Sequence, residues 1–151
     1  MTGLSVEIPQ ITIQEYRRGE LLISTDPRKL DVEAIQAFLT RGYFDTAGIT
    51  SETVARTTRG SLCFGVYDGE HQVGFARVIS DYATFAYLSD DYILETHRGR
   101  GLGKWMMECI QAHPQLQGLR RWILGPTHDI RLYEKFGFRP LEGQWMEKLS
   151  H

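Results

Sequence analysis

Arginine, glycine and lysine are interleaved as Arg98-Gly99-Arg100-Gly101-Leu102-Gly103-Lys104, directly downstream of an apolar stretch ending in Ile93-Leu94. Glycine removes the side chains that keep an anion away from backbone amides, and three glycines leave this backbone bare. From Leu102 onward Trp105, Met106, Cys109 and Ile110 recur at helical spacing, and Pro114 stops the run. A helix opening at the turn contributes unpaired N–H groups and the positive end of its dipole. Arg98, Arg100 and Lys104 add formal charge around the same concavity. The chemistry these residues can perform is phosphate binding.

The spacing decides which phosphate. A Walker loop needs a further upstream glycine and Ser or Thr after its lysine, but Arg98 and Trp105 occupy those places. A dinucleotide fingerprint needs glycine where Lys104 stands and a parallel sheet starting at that unit. Here the loop follows three strands that read as an antiparallel meander. Magnesium nucleotides and dinucleotides are therefore both disfavoured.

The remaining match is Arg-x-x-Gly-x-Gly between a strand and a helix, followed about thirty residues later by Leu132-Tyr133-Glu134-Lys135-Phe136-Gly137-Phe138. On these motifs the chain resembles the GNAT superfamily of acyl-CoA-dependent N-acyltransferases, over nearly its whole length after Leu21. The stretch from Ser61 to Lys104 is similar to a branch of small bacterial members. The resemblance implies an α/β fold with a central mixed, mostly antiparallel sheet flanked by helices. It also implies acetyl-CoA as co-substrate, with residues 98–104 on its pyrophosphate and Ile93 and Leu94 offering backbone groups to the pantetheine arm. The activity implied is transfer of an acetyl group to a primary amine, on a small molecule or a peptide, directly in a ternary complex. A non-catalytic acyl-CoA-binding sensor of the same fold is the alternative.

Acyl transfer to an amine requires loss of a proton from an ammonium of pKa near ~10 and stabilisation of a departing thiolate. Tyr133 matches the family tyrosine near the sulfur. Asp90 and Asp91 sit late in an apolar strand, where carboxylates are costly unless functional or exposed. Strand alternation allows only one of them into a cleft, and a β-bulge would change which. The resemblance favours Asp90, with Asp91 as the other candidate for proton removal or ammonium binding. Many members carry an asparagine at the start of the last helix, whereas this chain has Pro126-Thr127-His128-Asp129. His128 is thereby a third candidate base. Tyr43, Phe44, Tyr82 and Phe85, in or near turns, suggest an acceptor with an apolar or flat part, and Asp45 and Asp81 could draw in its amine.

The elements that must position these groups follow from periodicity. A short strand over Leu21-Leu22-Ile23-Ser24-Thr25 closes at Asp26-Pro27. Asp31 caps a helix whose stripe is Val32, Ile35, Phe38 and Leu39, with Gly42 ending it. A weaker helix spans residues 50–59. Strands over 62–67, 72–79 and 83–94 form the meander, and a helical crossover makes the strand at 121–124 parallel to the last of them. A short helix carries Ile130, Tyr133 and Phe136, and residues 145–149 read as a final strand. Residues 1–20, with Val6, Ile8, Ile11 and Ile13 around Pro9, read as an extended arm or edge strand.

A chain of 151 residues reads as one domain able to bury roughly two-thirds of its unfolded surface. A net charge of −2 gives no footprint for nucleic acid. No apolar run approaches a membrane span and no signal-peptide pattern opens the sequence, so a cytoplasmic protein is expected. Cys63 and Cys109 read as buried free thiols, and neither lies beside the expected thioester, which disfavours an acyl-enzyme. The five histidines show no metal-ligand spacing, so no metal is expected. An exposed strand edge makes a homodimer an expectation.

Overall fold

The structure is a computed structural model that describes residues 3–7, 10–41, 48–125, 127 and 129–150. Its six strands are β1 (Glu15–Arg18), β2 (Leu21–Ser24), β3 (Leu62–Asp68), β4 (His71–Ser80), β5 (Phe85–Ile93) and β6 (Arg121–Leu124). They form one sheet in chain order, antiparallel from β1 through β5. β6 lies parallel to β5 because a helical crossover joins them. The helices are α1 (Val32–Leu39), α2 (Ser51–Arg59), α3 (Leu102–Ala112) and α4 (Ile130–Glu134).

Local chemistry sets the helix starts. The Asp31 carboxylate accepts from the Ala34 N–H at 3.0 Å, and the Thr50 hydroxyl accepts from the Thr53 N–H at 3.1 Å. α1 buries Ile35, Phe38 and Leu39, as its stripe requires, whereas α2 buries only Val54 and remains a flank. α3 buries six residues, among them Trp105, Met106, Met107 and Ile110. The sheet separates two apolar layers. On one face Leu62, Phe64, Val66, Ala76, Val78, Ala86 and Leu88 pack with α3. On the other, Cys63, Phe75 and Tyr92 pack with α1 and α2, and Tyr92 stacks on Phe38 with ring centroids 3.8 Å apart. Both cysteines are buried and free.

Residues 10–14 run as an arm into the edge strand β1. His113, fully buried at the end of α3, holds this arm: its Nε2 lies 3.1 Å from Thr12 O, while its Nδ1 accepts from the Gln115 N–H. Burial pushes the His113 pKa down, so the ring stays neutral.

Two expected boundaries shift. β5 begins at Phe85 because the Asp81 carboxylate gathers the N–H groups of Ala83, Thr84 and Phe85 into a turn. Residues 145–149 form no strand. The tail bends at Gly143 (φ +104°), Trp145 Nε1 donates to Glu142 O, and the indole lies 4.8 Å from the Arg121 guanidinium. Met146 and Leu149 stand 95% and 68% exposed, so the alternation of this segment puts neither into the core. No helix among the described residues is long and apolar enough to cross a membrane.

Candidate active site

Pairing between β5 and β6 ends at Leu88 opposite Leu124, yet β5 continues to Ile93. Beyond Leu88 the two strands part, and a cleft of about 740 Å³ opens there. It reaches both apolar layers, touching Phe38 and Tyr92 from one and Met106 and Met107 from the other.

One end of the cleft is the loop into α3, where Arg98, Gly99, Gly101, Leu102, Gly103 and Lys104 all form part of the wall. Gly99 and Gly101 adopt φ of +79° and +75°, conformations open to glycine and strained for other residues. A Cβ on either would meet no protein atom within 4 Å, so the backbone there faces open space. Gly101 caps α3 with no side-chain hydrogen bond, leaving the first helix amides without an internal acceptor. Arg98 is steadied by a 3.0 Å bond from its Nε to Ile93 O. Arg100 is not part of the wall and reaches back to Thr96 O at 3.4 Å.

Positive charge that sequence reading missed comes from α4. Arg131 and Lys135, four residues apart, line the same cleft as the loop, as does His97. The signal was their i, i+4 spacing on either side of Tyr133. His97 is fixed by Asp68 Oδ2 at 2.9 Å and Thr96 Oγ1 at 2.8 Å. The amide-rich turn and its cations fit the phosphates of a coenzyme A. The edge of β5 exposed beyond Leu88 fits an extended arm. Among the described residues no group of three or more His, Cys, Asp and Glu could hold a metal ion.

Ile93 and Leu94 divide. Ile93 lines the cleft and its carbonyl points to that side, where Arg98 takes it. Leu94 turns away, its N–H donating to Val73 O at 2.8 Å.

The two aspartates divide as well, through a β-bulge. Phe75 pairs with Tyr92 and Arg77 with Ser89, so Ala76 alone opposes Asp90 and Asp91 together. Asp90 takes up the bulge at φ +56°, a left-handed conformation that costs a non-glycine residue ~1–3 kcal/mol. Its carboxylate pairs with Arg77 Nε at 3.0 Å, both side chains more than four-fifths buried. Asp91 lines the cleft instead. Burial, reinforced by repulsion from Asp90 and Asp129, raises its carboxyl to about 6.

Tyr133 lines the same cleft, 6% exposed, its ring edge-on to Phe138 at 5.9 Å. Tyr82 and Phe85 do not. They stand at the far end of β5, where Tyr82 (φ +60°) packs on the α3-side core beside the Asp81 turn. Tyr43, Phe44, Asp45 and His128 lie outside the described residues.

Residues 59–140 match the family model described as Acetyltransferase (GNAT) domain. A candidate acetyltransferase of Gibberella zeae is 36% identical over 144 residues, covering 81% of this chain and 80% of that protein. A crystal structure of a candidate GNAT-family acetyltransferase from Xanthomonas campestris pv. campestris superposes with a TM-score of 0.75 at 44% identity, covering 83% of this chain and 93% of that one. A Clostridium acetobutylicum candidate acetyltransferase, solved with acetyl-CoA, shares the fold at TM-score 0.65 and 13% identity, covering 93% and 96%. With its loop, split strands and fold in agreement, the chain belongs to the GNAT family of acetyltransferases.

Proposed function

We propose that the protein is an acetyl-CoA-dependent N-acetyltransferase acting on a primary amine by direct transfer. The observation that carries the reading is one cleft joining an uncapped, glycine-lined helix start to a desolvated carboxyl and a buried tyrosine. That the C. acetobutylicum protein of the same fold was solved with acetyl-CoA supports this choice of co-substrate. When bound, acetyl-CoA supplies an acyl thioester.

The chain does the rest. The α3 amides with Arg98 and Lys104 hold phosphate from one wall, and Arg131 and Lys135 from the other. The backbone of Ile93 orients the arm. Asp91 removes the proton of the acceptor ammonium, directly or through a water. With its carboxyl at about 6 it is ionised near neutrality yet more basic than an ordinary aspartate. The Tyr133 hydroxyl donates a hydrogen bond to the leaving sulfur. Full proton transfer from a phenol to a thiolate is uphill by about 2 kcal/mol in water, so hydrogen bonding suffices for the role. Asp90, held by Arg77, is spared the chemistry. Cys63 and Cys109 are both pushed up to about 12 by burial, which keeps them protonated and leaves no thiolate nucleophile for an acyl-enzyme.

The test is acetyl-CoA with a panel of primary amines, following thiol release together with acetylated product. Turnover on at least one amine is expected. Tight acetyl-CoA binding with no turnover on any amine would refute the enzyme reading in favour of a sensor.

A further inference from the structure

We propose that Arg77 and Asp90 are a positioning pair: their ion pair locks the bulge in β5 that aims Asp91 into the cleft. The proposal rests on the reading of Asp91 as the proton acceptor.

Parity makes the argument. Ser89 and Tyr92 are three residues apart, so in a regular strand they would face opposite sides of the sheet. Here Ser89 pairs with Arg77 and Tyr92 with Phe75, and Arg77 and Phe75 share one face because they are two apart on β4. The bulge between them absorbs the odd residue. It sends Ser89 and Asp90 both to Arg77, whose Nη2 lies 3.5 Å from Ser89 Oγ and whose Nε lies 3.0 Å from Asp90 Oδ2. Asp91 is then left for the cleft.

Nothing in the local sequence favours a left-handed residue at position 90 except the tolerance of aspartate for it. What holds Asp90 there is Arg77, itself anchored by Nη1 to Ser61 Oγ at 3.2 Å. Both partners are deeply buried, 14% and 11% exposed, so neither is satisfied by solvent if the other is lost. Removing Arg77 therefore frees Asp90 to leave its conformation. A bulge that migrates by one residue turns the side chains it passes to the other face.

The test uses three variants of the full chain. Arg77→Met should lower kcat by about tenfold to a hundredfold, the scale of a misplaced reacting group, while the KM for acetyl-CoA stays within about twofold. The unaltered protein should show an inflection near 6 in its pH profile, set by burial of Asp91 and by the charges of Asp90 and Asp129, and in Arg77→Met that inflection should move or vanish. Adding Asp90→Gly restores a residue at ease with φ +56° and no buried charge to strand, so Arg77→Met/Asp90→Gly should recover most of kcat. Arg77→Met/Asp90→Val, equally uncharged but strained at that φ, should not recover. The two double variants carry the comparison even if the single variant folds poorly. Equal activity of the two doubles, or a folded Arg77→Met that keeps its kcat, its pH profile and an undisplaced Asp91, would overturn the proposal. A crystal structure of Arg77→Met reads the bulge without reference to turnover: an intact bulge with Asp91 in place overturns the latch. A displaced Asp91 with undiminished kcat leaves the latch standing and overturns the role of Asp91 instead.

Discussion

Asp91→Asn should make the protein more stable and less active, and the stability gain should depend on pH. In the folded chain the Asp91 carboxyl sits at about 6 against an ordinary 3.8, chiefly because burial penalises its charge. Between those values the folded protein binds more protons than the unfolded chain, so stability falls as pH rises through that window and is level above it. The gap corresponds to roughly 3 kcal/mol at full ionisation, an upper figure because the carboxylate is also favoured by its own backbone N–H, a contact that asparagine keeps only in part. Asparagine carries no charge and escapes the penalty. Urea unfolding at about pH 4 should therefore give nearly equal stabilities for the two proteins, and at about pH 8 the variant should lead by roughly 1–3 kcal/mol. Turnover should fall in the same variant at saturating acetyl-CoA. A gain independent of pH, or a loss of stability at the higher pH, would refute the claim that a desolvated charge is stored at Asp91.

Other outcomes follow from the same cleft. Gly101→Val forces a β-branched residue to φ +75°, costing ~1–2 kcal/mol of stability, and places its branches before the α3 amides. Calorimetry should show acetyl-CoA affinity reduced by more than about tenfold. Arg131→Gln with Lys135→Gln should weaken acetyl-CoA roughly threefold to tenfold at low salt, and the difference should shrink as salt is added. Tyr133→Phe keeps the packing against Phe138, so thermal unfolding should barely move while kcat falls about tenfold with the acetyl-CoA KM unchanged. An unchanged kcat would remove the hydrogen-bonding role.

The loop was legible in sequence because its glycines and charges are local and the helix after it has a clear period. Tyr133 was legible for the same reason, being carried on a short motif. The division of labour between Asp90 and Asp91 was not, since it depends on one unpaired residue opposite Ala76 and on a partner, Arg77, thirteen positions away. In sequence, aromatic character and nearness to a turn point Tyr82 and Phe85 toward the acceptor. The β4–β5 turn in fact lies at the end of β5 remote from the place where it parts from β6. Arg131 and Lys135 were overlooked because a charge run beside a motif tyrosine says nothing of direction until α4 is docked. The tail at 145–149 alternates as a strand does, but alternation is a statement about faces and not about pairing, and the outer edge of β6 is left without it.

The parting of β5 from β6 leaves a length of strand edge with no neighbour: past Leu88, β5 runs on to Ile93 with no residue of β6 opposite it. A bare edge is a template for any extended chain laid against it. If the proposed donor's arm lies there, it adds to the sheet as a further strand would, so that binding the donor and completing the sheet are one event, each stabilising the other.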